Sequence, residues 1–173
     1  MITSNAIKYQ VHALVRHEQD HAANDRHNGH NDIYRGLILD SIRNAPINLC
    51  ITCDPSRFGS EGIDSHPILD FFSVCCAIEN LRLVARAEGI GVGWVNILRN
   101  QKLRDILAIP EPIVPVAYLC LGYPVSFPHQ SFVATVDRAP RLKLAELVYA
   151  DTWNRQEGME EIVRHLRAGV KVR

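Results

Sequence analysis

The segment from Ile68 to Glu88 constrains the fold more than any other part of this sequence. Its apolar residues recur at helical spacing, but they are not confined to one stripe. One face carries Leu69, Phe72, Cys76, Leu83 and Ala87, and the other sides carry Phe71, Val74, Ile78, Leu81 and Ala85. A helix that is apolar on nearly every side is buried in a core or between subunits. The sequence therefore predicts a long buried helix, which ends at Gly89, a typical C′ residue.

Short apolar segments typical of strands lie on both sides of this helix. Strands are predicted over 47–53, 91–98 and 116–121, and the last is apolar throughout, which predicts a central strand. Helices are predicted over 6–19, 32–44, 101–108 and 144–148, with a further helical stripe from Met159 to Val170. Helices interleaved with strands indicate an α+β or α/β domain, and 173 residues suffice for one domain.

Composition excludes several functional classes. Lys plus Arg balances Asp plus Glu at 19 each, so the chain has no overall positive charge for nucleic acid. No apolar run reaches the ~18 residues of a membrane span. Charged residues interrupt the first twenty positions, where a secretion signal would be apolar. Five cysteines without such a signal indicate reduced thiols, so the expected location is cytoplasmic.

The cysteines suggest packing rather than redox chemistry. Cys50 and Cys53 have the spacing of a redox pair, but they fall on a predicted strand, where residues three apart point to opposite faces. Core packing is the expected role of Cys75, Cys76 and Cys120.

Histidine is clustered near the N-terminus. His17 and His21 are four residues apart and share one face of the predicted helix. Two histidines alone do not complete a tetrahedral zinc site. We therefore expect a solvated helix end here and no metal site.

Residues 89–94 read Gly-Ile-Gly-Val-Gly-Trp. A dinucleotide-binding glycine motif follows a strand and opens a helix, whereas this run follows a helix and opens a strand. Glycine allows close approach to the backbone, which suits a flat ligand; the alternative is a helix C-cap followed by a tight turn. Further along, Arg138 and Arg141 either hold a phosphate with paired donors or form surface salt bridges.

Three stretches together resemble one known family. They are residues 44–50 (NAPINLC), 80–95 (NLRLVARAEGIGVGWV) and 115–124 (PVAYLCLGYP). Over roughly residues 1–153 the sequence is similar to the nitroreductase-like flavoproteins, and most of all to their 5,6-dimethylbenzimidazole synthase branch. Enzymes of that branch consume reduced flavin mononucleotide (FMN) with oxygen to make the lower ligand of cobalamin.

The resemblance implies an α+β fold that forms a homodimer, with FMN at the subunit interface and residues 68–88 as the central dimer helix. Residues 54–67 match a lid over the reduced flavin. The implied partners are FMN and oxygen, with no nucleic acid and no membrane. The positions that match flavin-contacting residues are Ile47, Leu49, Gly91, Gly93 and Trp94, and the match to an arginine on the FMN phosphate is Arg141.

Two departures from the family pattern affect the expected chemistry. The branch has a serine where this sequence has Asn96, so Asn96 is the candidate catalytic residue; asparagine can hydrogen-bond but has no hydroxyl proton to relay. The family's Arg-Arg-Asp-x-Arg motif for FMN is not found, because Met1–Asn5 match the end of the first strand. We therefore expect a domain over 1–153 that lacks the first helices and most of the first strand, a helical tail over 154–173, and weak FMN binding.

Three functions remain open from the sequence. The first is an FMN-dependent oxidoreductase of the 5,6-dimethylbenzimidazole synthase branch. The second is a catalytically inactive, truncated dimerisation module of the same fold. The third is a general nitro- or quinone reductase, which Asn96 in place of serine favours.

Overall fold

The computed structural model describes residues 1–23, 31–56, 67–95, 101–127 and 142–169. Contacts divide the chain into two units, Met1–Phe127 and Pro128–Arg173. The first unit contains, in chain order, α1 (Asn5–Ala23), α2 (Asn31–Asn44), β1 (Ile47–Cys53), α3 (Pro67–Ala87), β2 (Gly91–Val95), α4 (Gln101–Leu107) and β3 (Val114–Gly122). The second unit contains a 3₁₀ turn (Leu144–Glu146) and α5 (Met159–Gly169). No described helix is both long enough and apolar enough to cross a membrane.

The three strands form an antiparallel sheet in the order β1-β3-β2. The predicted central strand is confirmed, because residues 117–120 are buried on both sides of the sheet. The strand begins at Val114, two residues earlier than predicted, and includes Pro115. Pro115 lies opposite Thr52, beside a register shift between Ile51 and Thr52. A proline is tolerated there because the hydrogen-bond ladder is already irregular.

Helices cover both faces of the sheet, which gives an α+β fold. One face packs against α1, α2 and α4, and its buried core contains Val11, Leu14, Val15, Ile42, Val95, Leu103, Tyr118 and Cys120. The other face packs against α3, and its buried core contains Ile78, Ala117 and Leu119. We call this second face the flat face.

The long apolar helix is buried on one side in the chain considered alone. Ile78 and Ala85 are buried against the sheet, whereas Leu69, Phe72 and Leu83 are 50%, 54% and 62% exposed. Cys75 and Cys76 are also exposed, so the core prediction is wrong for both, although it is confirmed for Cys120. The reason is geometric, since one helix presents only part of its circumference to one sheet.

The end of α3 matches the sequence expectation. Gly89 has a φ of 74°, the left-handed conformation that favours glycine. The Gly89 amide donates to the Arg86 carbonyl, and the Ile90 amide donates to the Ala85 carbonyl at 2.7 Å. These two bonds form a Schellman motif, which turns the chain directly from α3 into β2.

Two buried polar side chains fasten the connection between α2 and β1. Lys8 is 4% exposed, and its Nζ donates to the carbonyls of Ala45 and Pro46 at 2.6 and 2.9 Å. Asn48 is fully buried, and its Nδ2 donates to the Ile42 carbonyl at 2.8 Å and to the Tyr118 hydroxyl at 3.0 Å. Residues from α1, α2, β1 and β3 are thereby joined around one turn.

We predict that Asn48→Ala lowers the free energy of unfolding by about 2–4 kcal/mol, because it leaves buried acceptors unpaired and opens a small cavity. Tyr118→Phe removes one hydroxyl and should cost about 1 kcal/mol. Urea unfolding measures both changes, with exposed Asn44→Ala as the control. If Asn48→Ala costs no more than Asn44→Ala, the network does not stabilise the fold.

Candidate functional site

The structure places three of the sequence-predicted residues on the flat face. Leu49 and Trp94 lie in one row across the sheet, because each pairs with Leu119 of the central strand. Ile47 belongs to the neighbouring row, opposite Leu121. Leu49 and Trp94 are half-buried and Ile47 is 37% exposed, so the flat face is open at its Ile47 end.

The two sequence-predicted glycines belong to the opposite face. Gly93 pairs with Cys120, and a Cβ added at Gly93 would lie 3.6 Å from the Ser41 hydroxyl, an ordinary contact. A Cβ at Gly91 would lie 3.3 Å from the Pro124 ring. The packing of α2 therefore does not by itself require glycine at position 93.

Sequence reasoning missed the glycine that the packing does require. A Cβ added at Gly122 would lie 2.9 Å from Cδ of Pro46, closer than real Cβ atoms come. Gly122 pairs with Gly91, so both strands are bare at this end of the sheet. The available signal was the run Gly122-Tyr123-Pro124 after an apolar strand, since glycine and proline together are typical of a turn.

Two predicted site residues lie outside the described part of the chain. They are Asn96, the candidate catalytic residue, and Arg141, the candidate phosphate ligand. Most of the predicted lid, residues 57–66, also lies outside it. Their predicted roles therefore stay predictions.

The thiols near the sheet are poorly suited to chemistry at neutral pH. Burial raises the pKa of Cys50 to about 11. Burial also raises the pKa of Cys120 to about 11, against the opposing effect of a hydrogen bond with Ser41. Because the thiolate is the nucleophile and the metal ligand, a thiol that stays protonated serves packing.

The described residues fit a flat aromatic group better than a compact polar one. The flat face is covered by α3 around Leu119 and offers apolar surface at its Ile47 end. Strand β2 pairs on one side with β3, while no described strand pairs with its other edge. An edge strand leaves backbone donors and acceptors available to the rim of a ligand. A flavin ring has this character, with apolar faces and a polar rim, so the described part of the site fits it.

The fold and this site define a small α+β protein with an apolar surface at the edge of an antiparallel sheet. The sequence pattern of the nitroreductase family matches residues 1–123, and the chain belongs to that family. The resemblance predicted from the three sequence stretches is thereby confirmed.

Individual relatives match part of the chain. The 5,6-dimethylbenzimidazole synthase of Rhodospirillum rubrum is 40% identical over 95 residues, which are 54% of this chain and 45% of that enzyme. The enzyme of the same name from Rhodobacter capsulatus is 35% identical over 95 residues, 54% of this chain and 46% of its own length. The aligned region thus spans slightly under half of each relative. A solved nitroreductase family protein of Clostridium difficile 630 gives a TM-score of 0.49 at 22% identity, over 64% of this chain and 62% of that one.

We predict that Gly122→Ala destabilises the protein more than Gly93→Ala does, because only the methyl group added at Gly122 meets an unusually close neighbour. Gly93→Ala should change the free energy of unfolding by less than about 1 kcal/mol, because its Cβ meets ordinary contacts. Gly122→Ala should cost about 1–3 kcal/mol, since the added methyl overpacks against Pro46. Urea unfolding of the two variants tests this, and equal costs would contradict the packing argument.

Proposed function

We propose that the chain is a flavin-dependent oxidoreductase of the 5,6-dimethylbenzimidazole synthase branch. The observation that carries this proposal is the placement of Ile47, Leu49 and Trp94 on one face of the sheet, since all three were matched to flavin-contacting positions from the sequence alone. The 40% identity to the Rhodospirillum rubrum enzyme supports it. FMN is the proposed cofactor, and oxygen the proposed co-substrate.

Each predicted residue has a role in this proposal. Ile47, Leu49 and Trp94 pack against the flavin ring and exclude water from one side of it. The edge of β2 that no described strand pairs with, which contains Gly91 and Gly93, offers backbone donors and acceptors to the rim of the ring. Arg141 holds the phosphate with paired donors. Asn96 donates a hydrogen bond near the ring and orients it. The bound flavin supplies electron transfer to oxygen or to an organic acceptor.

Flavin binding is tested by titration. Because the sequence predicts weak binding, FMN is titrated from micromolar to millimolar concentrations and its fluorescence quenching is followed. We expect quenching that saturates, and affinity about tenfold or more weaker in Ile47→Arg, which places a charge at the exposed end of the flat face. Exposed Leu37→Arg on α2 is the matched control. Quenching that is absent at every concentration would favour the inactive module instead.

A second assay separates the two oxidoreductase functions. If the chain acts as enzymes of the 5,6-dimethylbenzimidazole synthase branch do, it consumes reduced FMN in air and fragments the flavin ring. A general nitro- or quinone reductase instead consumes a nicotinamide cofactor in proportion to its substrate and leaves the flavin intact. Asn96 in place of serine is the observation that favours this second function.

We further propose that α3 pairs with its copy in a homodimer. Leu69, Phe72, Cys76, Leu83 and Ala87 form one stripe on the side of α3 that faces away from the sheet. Exposed apolar patches of this kind mark interaction sites. The stripe has the three- and four-residue spacing with which helices pack against each other. A copy of α3 would present the same complementary surface.

We predict that Leu83→Glu weakens this dimer by roughly 100-fold, because it buries a charge beside its symmetry-related copy. Leu37→Glu, at a comparably exposed leucine on α2, should leave the dimer intact. Light scattering after gel filtration reports the mass of each variant. A monomeric wild-type chain, or equal dissociation of both variants, would contradict pairing through α3.

The cytoplasmic location and the boundary between 153 and 154 stay predictions from the sequence.

A further inference from the structure

The C-terminal half of α1 carries two histidines whose ring nitrogens converge. His17 and His21 are one helical turn apart, and their Nε2 atoms lie 3.2 Å from each other. The ring centroids are 4.4 Å apart, with the planes inclined at 62°. Both residues are exposed, so an ion from solvent can reach the two nitrogens.

We propose that His17 and His21 form an open clamp for a divalent transition-metal ion such as Ni²⁺ or Cu²⁺. Two imidazole nitrogens bound at ~2.0–2.1 Å stand ~3.4 Å apart in a tetrahedral complex and ~2.9 Å apart at right angles. The observed 3.2 Å lies between these values. The separation of the two nitrogens therefore suits one shared ion.

Metal binding by this pair requires one tautomer of each ring. Without an ion, one Nε2–H donates to the other Nε2; with an ion, both rings carry their proton on Nδ1. The Nδ1 of His17 lies 4.0 Å from a carboxylate oxygen of Glu18. At 4.0 Å this carboxylate is too far to accept a hydrogen bond from the ring, but it is close enough to attract a bound cation.

The position on the helix also favours a cation. His21 lies in the last turn of α1, where the helix macrodipole is negative. Within the described residues, no cluster of three or more His, Cys, Asp or Glu side chains could hold a metal ion. Water would fill the remaining positions, and Ni²⁺ and Cu²⁺ tolerate such sites of nitrogen and oxygen ligands. The sequence argument against a metal concerned a closed zinc site, whereas this site is open.

The test is calorimetric titration of the tag-free chain with NiCl₂. We expect His17→Gln and His21→Gln each to weaken Ni²⁺ binding by at least about tenfold, and the double variant to lose little more, because one imidazole cannot chelate. Gln19→His combined with His21→Gln keeps the number of histidines but places them two residues apart, on different helix faces. This variant should lose affinity as well, while His165→Gln on α5 should retain it.

Ni²⁺ affinity that is unchanged in His17→Gln, His21→Gln or the combined variant overturns the proposal. The pair is then a hydrogen bond between two imidazoles. All the substituted positions are polar side chains at the helix surface, so far-UV circular dichroism should show the wild-type helix content in every variant.

Discussion

The turn between α2 and β1 is the constraint on which the rest of the sheet depends. Pro46 has no amide hydrogen and ends α2, so carbonyls at this helix end need donors from elsewhere. Lys8 reaches them from α1, and Asn48 reaches back from β1 to Ile42. The same turn closes over Gly122, whose missing side chain admits the Pro46 ring. This turn therefore determines where β1 begins, where β3 ends and where the flat face lies.

Patterns of apolar residues predicted most of the fold. Strand β1 is found at its predicted bounds, α3 differs by one residue at each end, and β3 is central as its apolar run indicated. These elements are encoded locally, in the spacing of side chains along one segment. Most of the polar contacts were beyond such reasoning, because Lys8 bonds to Ala45, 37 residues away, and Asn48 bonds to Tyr118, 70 residues away. In the sequence, the local indication of these contacts was Asn48, an asparagine inside an apolar strand.

The glycine run shows how one motif divides into separate physical tasks. Gly89 turns the chain through its positive φ, which the sequence predicted from the end of the helix. Gly91 fits closely against Pro124, whereas Gly93 has ordinary room for a methyl group. The sequence does not distinguish Gly91 from Gly93, and only their neighbours in the fold show that Gly91 is the more closely packed of the two. Gly93 is consequently a position at which the packing of the fold does not require glycine.

Helix α3 links the proposed site to the proposed subunit contact. Its inner side packs Val74, Ile78 and Leu81 against the flat face, and its outer side carries the apolar stripe. A rigid helix buried on both sides cannot shift on one without repacking on the other, because protein interiors are close-packed. Pairing through the stripe would hold the inner side of α3 in a fixed position over Leu119, in the row shared by Leu49 and Trp94. The apolar residues around this helix are the strongest constraint on the fold in the sequence. Through the same residues, the proposed dimer would hold the proposed flavin surface in place.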